Sequence, residues 1–460
     1  MRGVPPVLTV LIRNRDFRLL FFSELVLFGG DWFVMIPLLT LLPELTGSGL
    51  WGGLVLTADM ALLALLLPYT GTVADRVDRR RVMVTANLAA MIAVGALLLV
   101  RSAGTAWVAV VAVGSFAIAK AFYSPAASAA LPNTVPPEDL ATANALAGSA
   151  WGTMLVVGAS LGGVVSAVVG PYWCFAVTVL CLLASAFAVW RVRRPLQAVV
   201  PMSGDGVSGT EPHDVLDTPP HPSGVATPDG AASGGTVPHS AASGGTVPHS
   251  AASGVRTAPA PHAWDALVEA TRYIRRSPRV AALVTVKSAV GLGNGVLVAF
   301  PLLASVVFRI GELGTGLLFA ARGAGALIGP LLFRWVLKRR ELLLPALAVS
   351  MSLYGLAYLA VAVTPWFWLA LILVTVAHLA GGGNWVMSNF ALQEEVPDAL
   401  RGRVFATDMM IATLAIAASQ LVAGVFVDHV SPRVVVAVCA LTTVGYALVW
   451  RLLTLRVMRG

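Results

Sequence analysis

Twelve long apolar runs dominate the sequence and constrain the fold more than any other feature. They lie at 17–43, 50–70, 82–100, 106–130, 141–166 and 171–190, and then at 282–306, 313–333, 342–363, 365–391, 404–427 and 433–454. As an α-helix, each run is long enough to cross the hydrocarbon layer, which takes about 20 residues. Only 12% of the residues are charged, whereas soluble domains average about 25%. The sequence therefore predicts an all-α membrane protein with twelve transmembrane helices.

Basic residues distinguish the two sides of the predicted membrane. With the N-terminus inside, the inner segments hold most of the 31 lysines and arginines, whereas the outer loops hold Arg101, Arg309 and Arg433. Because positive charge is concentrated in cytoplasmic loops, both termini are predicted to be cytoplasmic. The same residues account for the net charge of +8, so no nucleic-acid partner is expected. Arginine greatly exceeds lysine, as in GC-rich bacterial genomes, and we expect a bacterial cytoplasmic (inner) membrane.

A segment without apolar runs separates two sets of six spans. It is rich in Pro, Gly, Ser, Thr and Ala, and repeats the decapeptide AASGGTVPHS at 231–240 and 241–250. Such a segment buries too little apolar area to offset its chain entropy, so we predict a disordered cytoplasmic linker. The predicted domains are a six-helix bundle at 1–194, the linker at 195–262, and a second six-helix bundle within 263–460.

The linker and the stretch after it carry two further patterns. Five of the seven histidines lie in the linker, and repeat expansion explains their wide spacing better than metal binding does. The stretch 263–279 places Trp264, Leu267, Val268 and Tyr273 near one helical face, with arginines following. This pattern predicts an amphipathic helix on the inner membrane surface.

The two halves repeat short patterns at nearly the same separation. The sequence LPNTVP at 131–136, after the fourth span, resembles LQEEVP at 392–397, after the tenth. Gly71 and Gly329 likewise precede basic loops in corresponding positions. These repeats predict a duplicated six-helix unit, folded as two pseudo-symmetric bundles with a substrate site between them near the middle of the membrane.

The loop after the second span contains a motif with a known family resemblance. Gly71, Asp75, Arg76, Arg79 and Arg80 fit the pattern G-x-x-x-D-R-x-x-R-R. A glycine permits close helix approach, a carboxylate suits a helix N-terminus, and arginines pair with carboxylates and phosphates. The motif resembles that of the major facilitator superfamily, which implies the major facilitator fold and a latch for the outward-open state. The alternative interpretation is an arginine cluster that only sets topology.

Other stretches resemble the macrolide-efflux and enterobactin-exporter group of drug:proton antiporters. They are RNRDFR at 13–18, GDW at 30–32, SPA at 124–126 and RGR at 401–403. This resemblance implies efflux of drugs, as in multidrug resistance, by antiport with protons. The antiporter motif of the fifth span keeps its small residues, which permit close helix packing, but lacks its usual proline. The small residues are Gly158, Gly162 and Gly163.

Charged residues inside the apolar runs are candidate functional groups, because charge in a membrane interior is costly. Asp31, Asp59, Lys120 and Arg322 fall in one layer, about 16–21 Å from the cytoplasmic side at 1.5 Å per residue. The family architecture makes Asp31 and Lys120 neighbours at a central cavity, and Glu24 lies two turns before Asp31 on the same face.

We predict that Asp31 is the main proton site, tuned by Lys120, because removal from water disfavours a charged carboxylate. Glu24 and Asp59 complete the candidate proton-coupling set. Competition between proton and substrate would then give antiport. The alternative is a static pair of Lys120 with Asp31 or Asp59 that only fixes packing.

A third set of residues is a candidate lining for the substrate cavity. Lys287 and Arg322 are suited to an anionic substrate, although snorkelling or structural pairing explains them equally well. Aromatic and amide side chains are further candidates, although packing is the commoner role of each. They are Trp32, Tyr123, Asn294, Asn384 and Trp385.

The predicted function is proton-coupled export of small amphiphilic compounds, such as drugs, antibiotics, natural products or siderophores. Proton-coupled uptake of a nutrient or metabolite is the alternative, and a non-transporting receptor or assembly factor is a third class. No nucleophile–base pair is apparent at membrane depth, so we expect no enzyme, no catalytic residue, no metal and no cofactor. The expected partners are substrate, protons and lipid, with a monomeric protein.

Overall fold

The computed structural model describes residues 6–197, 263–333 and 336–457. The predicted linker at 195–262 lies outside the described residues except for its first three positions. The decapeptide repeats and the five linker histidines also fall outside them. Residues 195–197 contact the first bundle: the Leu196 carbonyl accepts a hydrogen bond from Asn133 Nδ2 at 2.9 Å, and Gln197 Nε2 donates to the Val77 carbonyl at 2.9 Å.

The first half of the chain forms a short helix followed by six long ones. Gly47 ends the second helix in a left-handed conformation with φ 70°, and Gly170 separates the sixth from the seventh with φ 92°. Glycine adopts such angles without steric cost, which permits tight connections between spans. The helices are α1 Pro6–Arg13, α2 Arg15–Thr46, α3 Leu50–Arg76, α4 Arg79–Ala96, α5 Ala106–Ala130, α6 Leu140–Val169 and α7 Pro171–Trp190.

The second half begins with the predicted amphipathic helix and continues with the second set of spans. Ala270 and Ile274 of the first helix are buried in a cluster shared with the helices that follow. The helices are α8 Ala263–Arg276, α9 Pro278–Gly293, α10 Val296–Leu302, α11 Glu312–Phe333, α12 Arg340–Val363, α13 Phe367–Glu395, α14 Asp398–Phe426 and α15 Pro432–Val457.

The predicted fold class is confirmed. Among the described residues, 11 helical segments are long and apolar enough to cross a membrane, and α3 adds the shorter apolar segment Leu50–Leu66. Many large apolar side chains on these helices point away from the protein, as expected where lipid replaces water. Examples are Ile92 at 68% exposure and Leu180 at 66%. Helices suit such an environment because they satisfy their backbone hydrogen bonds internally.

The two halves use the same pattern of helix pairs. In the first half, α2 packs against α6 and α7, α5 against α3 and α4, and α4 against α7. In the second half, α9 packs against α14 and α15, α13 against α11 and α12, and α12 against α15. Each pair in one half has its counterpart six spans later, so the halves are pseudo-symmetric six-helix bundles.

The seventh predicted span, 282–306, differs from the continuous helix that the sequence predicts. The structure divides it at Asn294 and Gly295 into α9 and α10, and a π-helical turn follows at Leu303–Val307. At the break α14 approaches closely, since a Cβ at Gly295 would lie 2.7 Å from the Ser419 carbonyl oxygen. Further along the span, Pro301 lacks the backbone N–H of a regular helix.

The bundles meet mainly through two helix pairs, α3 with α14 and α6 with α11. The first contact lies near the predicted outer end, where a Cβ at Gly53 would be 2.6 Å from Gly424 Cα. Beyond it, Asp428 accepts hydrogen bonds from the Gly49 backbone N–H at 2.6 Å and from the Ser48 hydroxyl. A carboxylate at the N-terminus of α3 is favoured by the helix dipole, so Asp428 joins the two bundles at this end.

Candidate functional site

Three charged side chains meet in the interior of the first bundle. Lys120 Nζ of α5 lies 2.5 Å from Asp31 Oδ2 of α2 and 2.6 Å from Asp59 Oδ1 of α3. The three side chains are only 3–8% exposed. We call Asp31, Asp59 and Lys120 the buried triad. The structure therefore brings together residues that the sequence placed in one layer of the membrane.

The buried triad has more acidic than basic groups. The sequence left open whether Lys120 pairs with Asp31 or with Asp59, and the ammonium contacts both carboxylates. One ammonium compensates only one of two charged carboxylates, and an uncompensated charge is costly in a membrane interior. A proton bound by either carboxyl group removes this excess. The arrangement is thus chemically suited to exchange a proton.

A neutral hydrogen-bond network lies near Glu24, the remaining predicted proton-coupling residue. Glu24 is half-buried and forms no hydrogen bond with another described residue. Beside it, the Tyr123 hydroxyl donates to Ser23 Oγ at 2.8 Å, and the hydroxyl oxygens of Ser23 and Ser185 are 2.7 Å apart. Asn87 Nδ2 contacts Ser23 at 3.3 Å. Tyr123, a predicted cavity residue, is completely buried in this network.

The second bundle contains an ion pair that sequence reasoning missed. Lys287 of α9 pairs with Asp408 of α14, and its ammonium also donates to Asn389 Oδ1 at 2.7 Å. Lys287 and Asp408 are 0% and 1% exposed. Both residues lie little more than a turn inside their predicted spans, and this common depth was the available signal. Lys287, predicted as a candidate for an anionic substrate, is therefore structurally paired.

Arg322 of α11 differs from Lys287 because it has no acidic partner among the described residues. Its Nε and Nη1 atoms are buried and lack hydrogen-bond partners. Its guanidinium carbon lies 5.0 Å from the centre of the Trp32 ring on α2. Since α2 and α11 belong to different bundles, this cation–π contact places Arg322 where the two bundles face each other.

Aromatic rings continue from Trp32 into the second bundle. Trp32 lies 5.6 Å from Phe319, Phe319 lies 5.1 Å from Phe300, and Phe300 lies 6.4 Å from Tyr358. The Tyr358 hydroxyl is 2.8 Å from His378 Nε2. Trp32, Phe300, Phe319, Tyr358 and His378 thus form a contiguous set, which we call the aromatic cluster.

The other predicted cavity residues make contacts within the second bundle. Asn294 Nδ2 donates to the Val290 carbonyl at 2.7 Å, as the helix ends there. Asn384 Nδ2 donates to Ser350 Oγ at 2.9 Å, and Trp385 has Lys287 Nζ at 5.1 Å from its ring centre. Of the predicted cavity set, Trp32 and Arg322 are the pair that the structure brings together across the bundles.

The predicted gating motif lies at the end of α3 and the start of α4. Arg76 is exposed, whereas Arg79 donates to the carbonyls of Ala129 at 2.8 Å and Leu196 at 3.0 Å. Arg80 donates to the Arg194 carbonyl at 3.2 Å. The side chain of Asp75 and the surroundings of Gly71 lie outside the description. In this conformation Arg79 and Arg80 bind main-chain carbonyls of the first bundle.

The predicted packing glycines of α6 face two different helices. A Cβ added at Gly158 would lie 2.5 Å from the Gly29 carbonyl oxygen, and a Cβ added at Gly162 would lie 2.7 Å from the Phe33 carbonyl oxygen. Gly29 and Phe33 are both on α2. At Gly163 it would lie 2.9 Å from Gly316 Cα on α11, in the other bundle. Two glycines therefore hold the first bundle together, and one permits contact between bundles.

Gly162→Ala is expected to lower the free energy of unfolding by about 1–3 kcal/mol, the usual cost of overpacking. The added methyl group meets backbone atoms of Phe33, which cannot move aside as a side chain does. Thermal or denaturant unfolding of the purified protein measures the change. Gly445→Ala is the control, since no atom lies within 4 Å of a Cβ there. Equal stability of the two variants would contradict the close packing of Gly162 against the Phe33 backbone.

Among the three described ranges, no group of three or more His, Cys, Asp or Glu side chains is placed to hold a metal ion.

Comparisons with known proteins agree with this architecture. The sequence profile of the Major Facilitator Superfamily matches residues 20–418 and 294–459. No curated protein sequence matches the chain. A mutant of the nucleoside transporter NupG has a TM-score of 0.67 at 12% identity, covering 95% of this chain and 98% of its own.

Two further solved structures are similar over nearly the whole chain. A bacterial homologue of the human lysosomal transporter Spinster, inward-facing and unoccupied, has a TM-score of 0.63 at 15% identity, covering 96% of this chain and 97% of its own. A POT family transporter in complex with a thioalcohol-conjugated peptide has a TM-score of 0.66 at 10% identity, covering 95% of each chain. At these identities the likeness concerns the fold.

Proposed function

The chain belongs to the major facilitator superfamily, and from this premise we propose that it is a proton-coupled exporter of small amphiphilic compounds. It is a multi-pass membrane transporter by family and by helix content. The finer proposal comprises export, proton coupling and the substrate type, which includes drugs, antibiotics, natural products and siderophores. The resemblance to the macrolide-efflux and enterobactin-exporter group supports export as the direction of transport. The buried triad supports coupling to protons.

The single observation that carries the coupling proposal is the contact of Lys120 with two carboxylates. A static ion pair needs one carboxylate, and the second leaves one negative charge that a proton or a cationic substrate group is able to neutralise. Asp31 is followed directly by Trp32, which contacts the other bundle. We therefore assign proton exchange to Asp31 and the holding of Lys120 to Asp59.

Contacts at the predicted outer end support a transport cycle by alternating access. The backbones of Gly53 and Gly424 approach closely, and Asp428 binds the start of α3 across the bundles. We assign this conformation to the state closed on the outside. In the opposite state these contacts separate, and the motif from Gly71 to Arg80 acts as the inner latch.

Proton-coupled uptake is a second candidate, and Arg322 favours it. A guanidinium with two buried, unbonded nitrogens and no acidic partner among the described residues suits an organic anion. A proton on the buried triad and an anion at Arg322 would make each of these two places neutral. Co-binding of this kind gives cotransport of proton and substrate in one direction. Export predicts competition between proton and substrate instead.

The direction of transport is tested in inverted membrane vesicles that contain the overproduced protein and fluorescent amphiphilic dyes. With acid inside, export predicts dye accumulation in the vesicles that collapses when the pH gradient is dissipated. Gradient-driven expulsion of dye from preloaded vesicles would establish uptake instead. An absence of proton-linked flux with every dye would favour the non-transporting class and contradict the proposal.

We further propose a bacterial cytoplasmic membrane location with both termini cytoplasmic, since the basic residues of the loops favour this orientation. We propose a monomer as the functional unit, because the two bundles of one chain supply both faces of the transport route. We also propose that these bundles are the domains 1–194 and 263–460, with the linker between them.

A further inference from the structure

We propose that Arg322 and the neighbouring aromatic rings form a binding site for the anionic group of an aromatic substrate. The inference rests on the proposed transport function, but it does not depend on the direction of transport. The anionic group is a carboxylate or a similar planar oxyanion, bound by the guanidinium. The aromatic part of the substrate packs against Trp32 and the aromatic cluster.

Arg322 carries a positive charge far from the ends of its span. Arg322 lies ten residues after the start of α11, about 15 Å along the helix and thus deep in the membrane. Arginine stays charged in proteins, and a charge at this depth is normally paired. The described residues supply a Trp32 ring but no hydrogen-bond acceptor for Nε or Nη1. With two buried nitrogens unbonded, the planar guanidinium keeps N–H donors for a carboxylate or a similar planar oxyanion.

The two buried lysines, unlike Arg322, have hydrogen-bond partners among the described residues. Lys120 has two carboxylate partners, and Lys287 has Asp408 and Asn389. Both lysines are therefore satisfied inside their own bundles. Arg322 differs from both lysines, because two of its nitrogens are buried without a hydrogen-bond partner and it contacts Trp32 of the other bundle. A substrate that passes between the bundles is able to reach this position.

The surroundings of Arg322 indicate what else the substrate contains. Trp32 lies against the guanidinium, and Phe319 follows at 5.6 Å from Trp32, one turn before Arg322 on α11. Phe300 extends the apolar surface from the broken seventh span. Flat apolar walls next to a planar cation suit an aromatic ring that carries an acidic group. A small inorganic anion would leave these walls unused.

Binding is tested with three dansyl probes that share one aromatic group and differ in charge. Dansyl-phenylalanine carries a carboxylate, its methyl ester is neutral, and dansylcadaverine carries an ammonium. Fluorescence titration of the full-length protein in lipid nanodiscs, without a pH gradient, gives a Kd for each. The carboxylate is expected to bind about 10- to 100-fold tighter than the ester, the range for hydrogen bonds to charged groups.

Substitutions of Arg322 test whether this residue causes the preference for the carboxylate over the ester. Arg322→Gln is expected to remove the difference between carboxylate and ester while leaving the Kd of the ester within about threefold. Arg322→Lys keeps the charge but loses the planar fork, so an intermediate preference is expected. Arg101→Gln is the matched control, because Arg101 also lies over an aromatic ring, 3.8 Å from the centre of Tyr172, but in an outer loop. It should retain the full preference.

The binding experiment tests the anion site at Arg322 independently of proton coupling at Asp31. Equal binding of carboxylate and ester by the natural protein, or no binding of the carboxylate, overturns the anion site without use of any variant. A preference that survives Arg322→Gln also overturns it. Proton-driven transport that persists in Asp31→Asn refutes the coupling proposal and leaves the anion site standing, since binding is measured without a gradient.

Discussion

Asp31→Asn is expected to abolish accumulation driven by a pH gradient while preserving exchange of substrate across the membrane. One pH unit is worth about 1.36 kcal/mol per proton, so one-for-one exchange gives the natural protein about tenfold accumulation per unit. An amide at position 31 keeps the shape of the side chain but cannot exchange this proton. The variant should therefore equilibrate the transported dye without concentrating it.

The measurement combines two assays on the same vesicles: dye accumulation under an imposed pH gradient, and dye-for-dye exchange without one. Asp265→Asn is the matched control, because Asp265 is an exposed carboxylate on α8. It should behave as the natural protein does. Gradient-driven accumulation at the natural level in Asp31→Asn would remove Asp31 from the mechanism, and loss of both activities would indicate a structural role.

Lys120→Met is expected to have the largest effect on stability. The change leaves two carboxylates buried beside each other without a cation, at 8% and 3% exposure. Removal of one partner from a buried ion pair costs about 3–5 kcal/mol. We expect a lower unfolding temperature in detergent, together with loss of proton-driven transport.

A combined variant shows whether the lost stability comes from charge or from packing. In the triple variant Asp31→Leu, Asp59→Leu, Lys120→Met, neither charge nor an unpaired polar group remains in the buried triad. Replacing a whole buried charged group by apolar residues of similar volume is often neutral for stability. The triple variant should therefore unfold near the natural temperature but lack proton coupling. An unfolding temperature as low as that of Lys120→Met alone would show that packing of the lysine stem, not charge, stabilises the site.

The architecture was largely predictable because the membrane imposes strict requirements on the sequence. Each span must be long, apolar and helical, and these properties are visible residue by residue. The turn at Thr364 separates α12 from α13, as predicted. The break at Asn294 and Gly295 was not predicted, because it depends on close approach of α14 at Ser419, which no local pattern records.

The candidate site was predictable in part. Asp31, Asp59 and Lys120 stand out because charge in an apolar run is rare, and their depth indicated that they meet. Asp408 was missed because it lies near the start of its span, where a charged side chain is ordinarily able to reach the membrane surface. Whether Arg322 or Lys287 is paired depends on how helices face each other. Hydropathy alone does not contain that information.

Infrared difference spectroscopy tests the central claim directly, since it detects a carboxyl group that gains a proton and needs no substrate. Spectra of the purified protein in lipid, recorded between acidic and alkaline conditions, should contain the C=O stretching band of a protonated buried carboxyl group. We predict that this band disappears in Asp31→Asn and survives in Asp59→Asn and Asp265→Asn. A band that persists unchanged in Asp31→Asn, or no such band in the natural protein, would contradict proton exchange at Asp31.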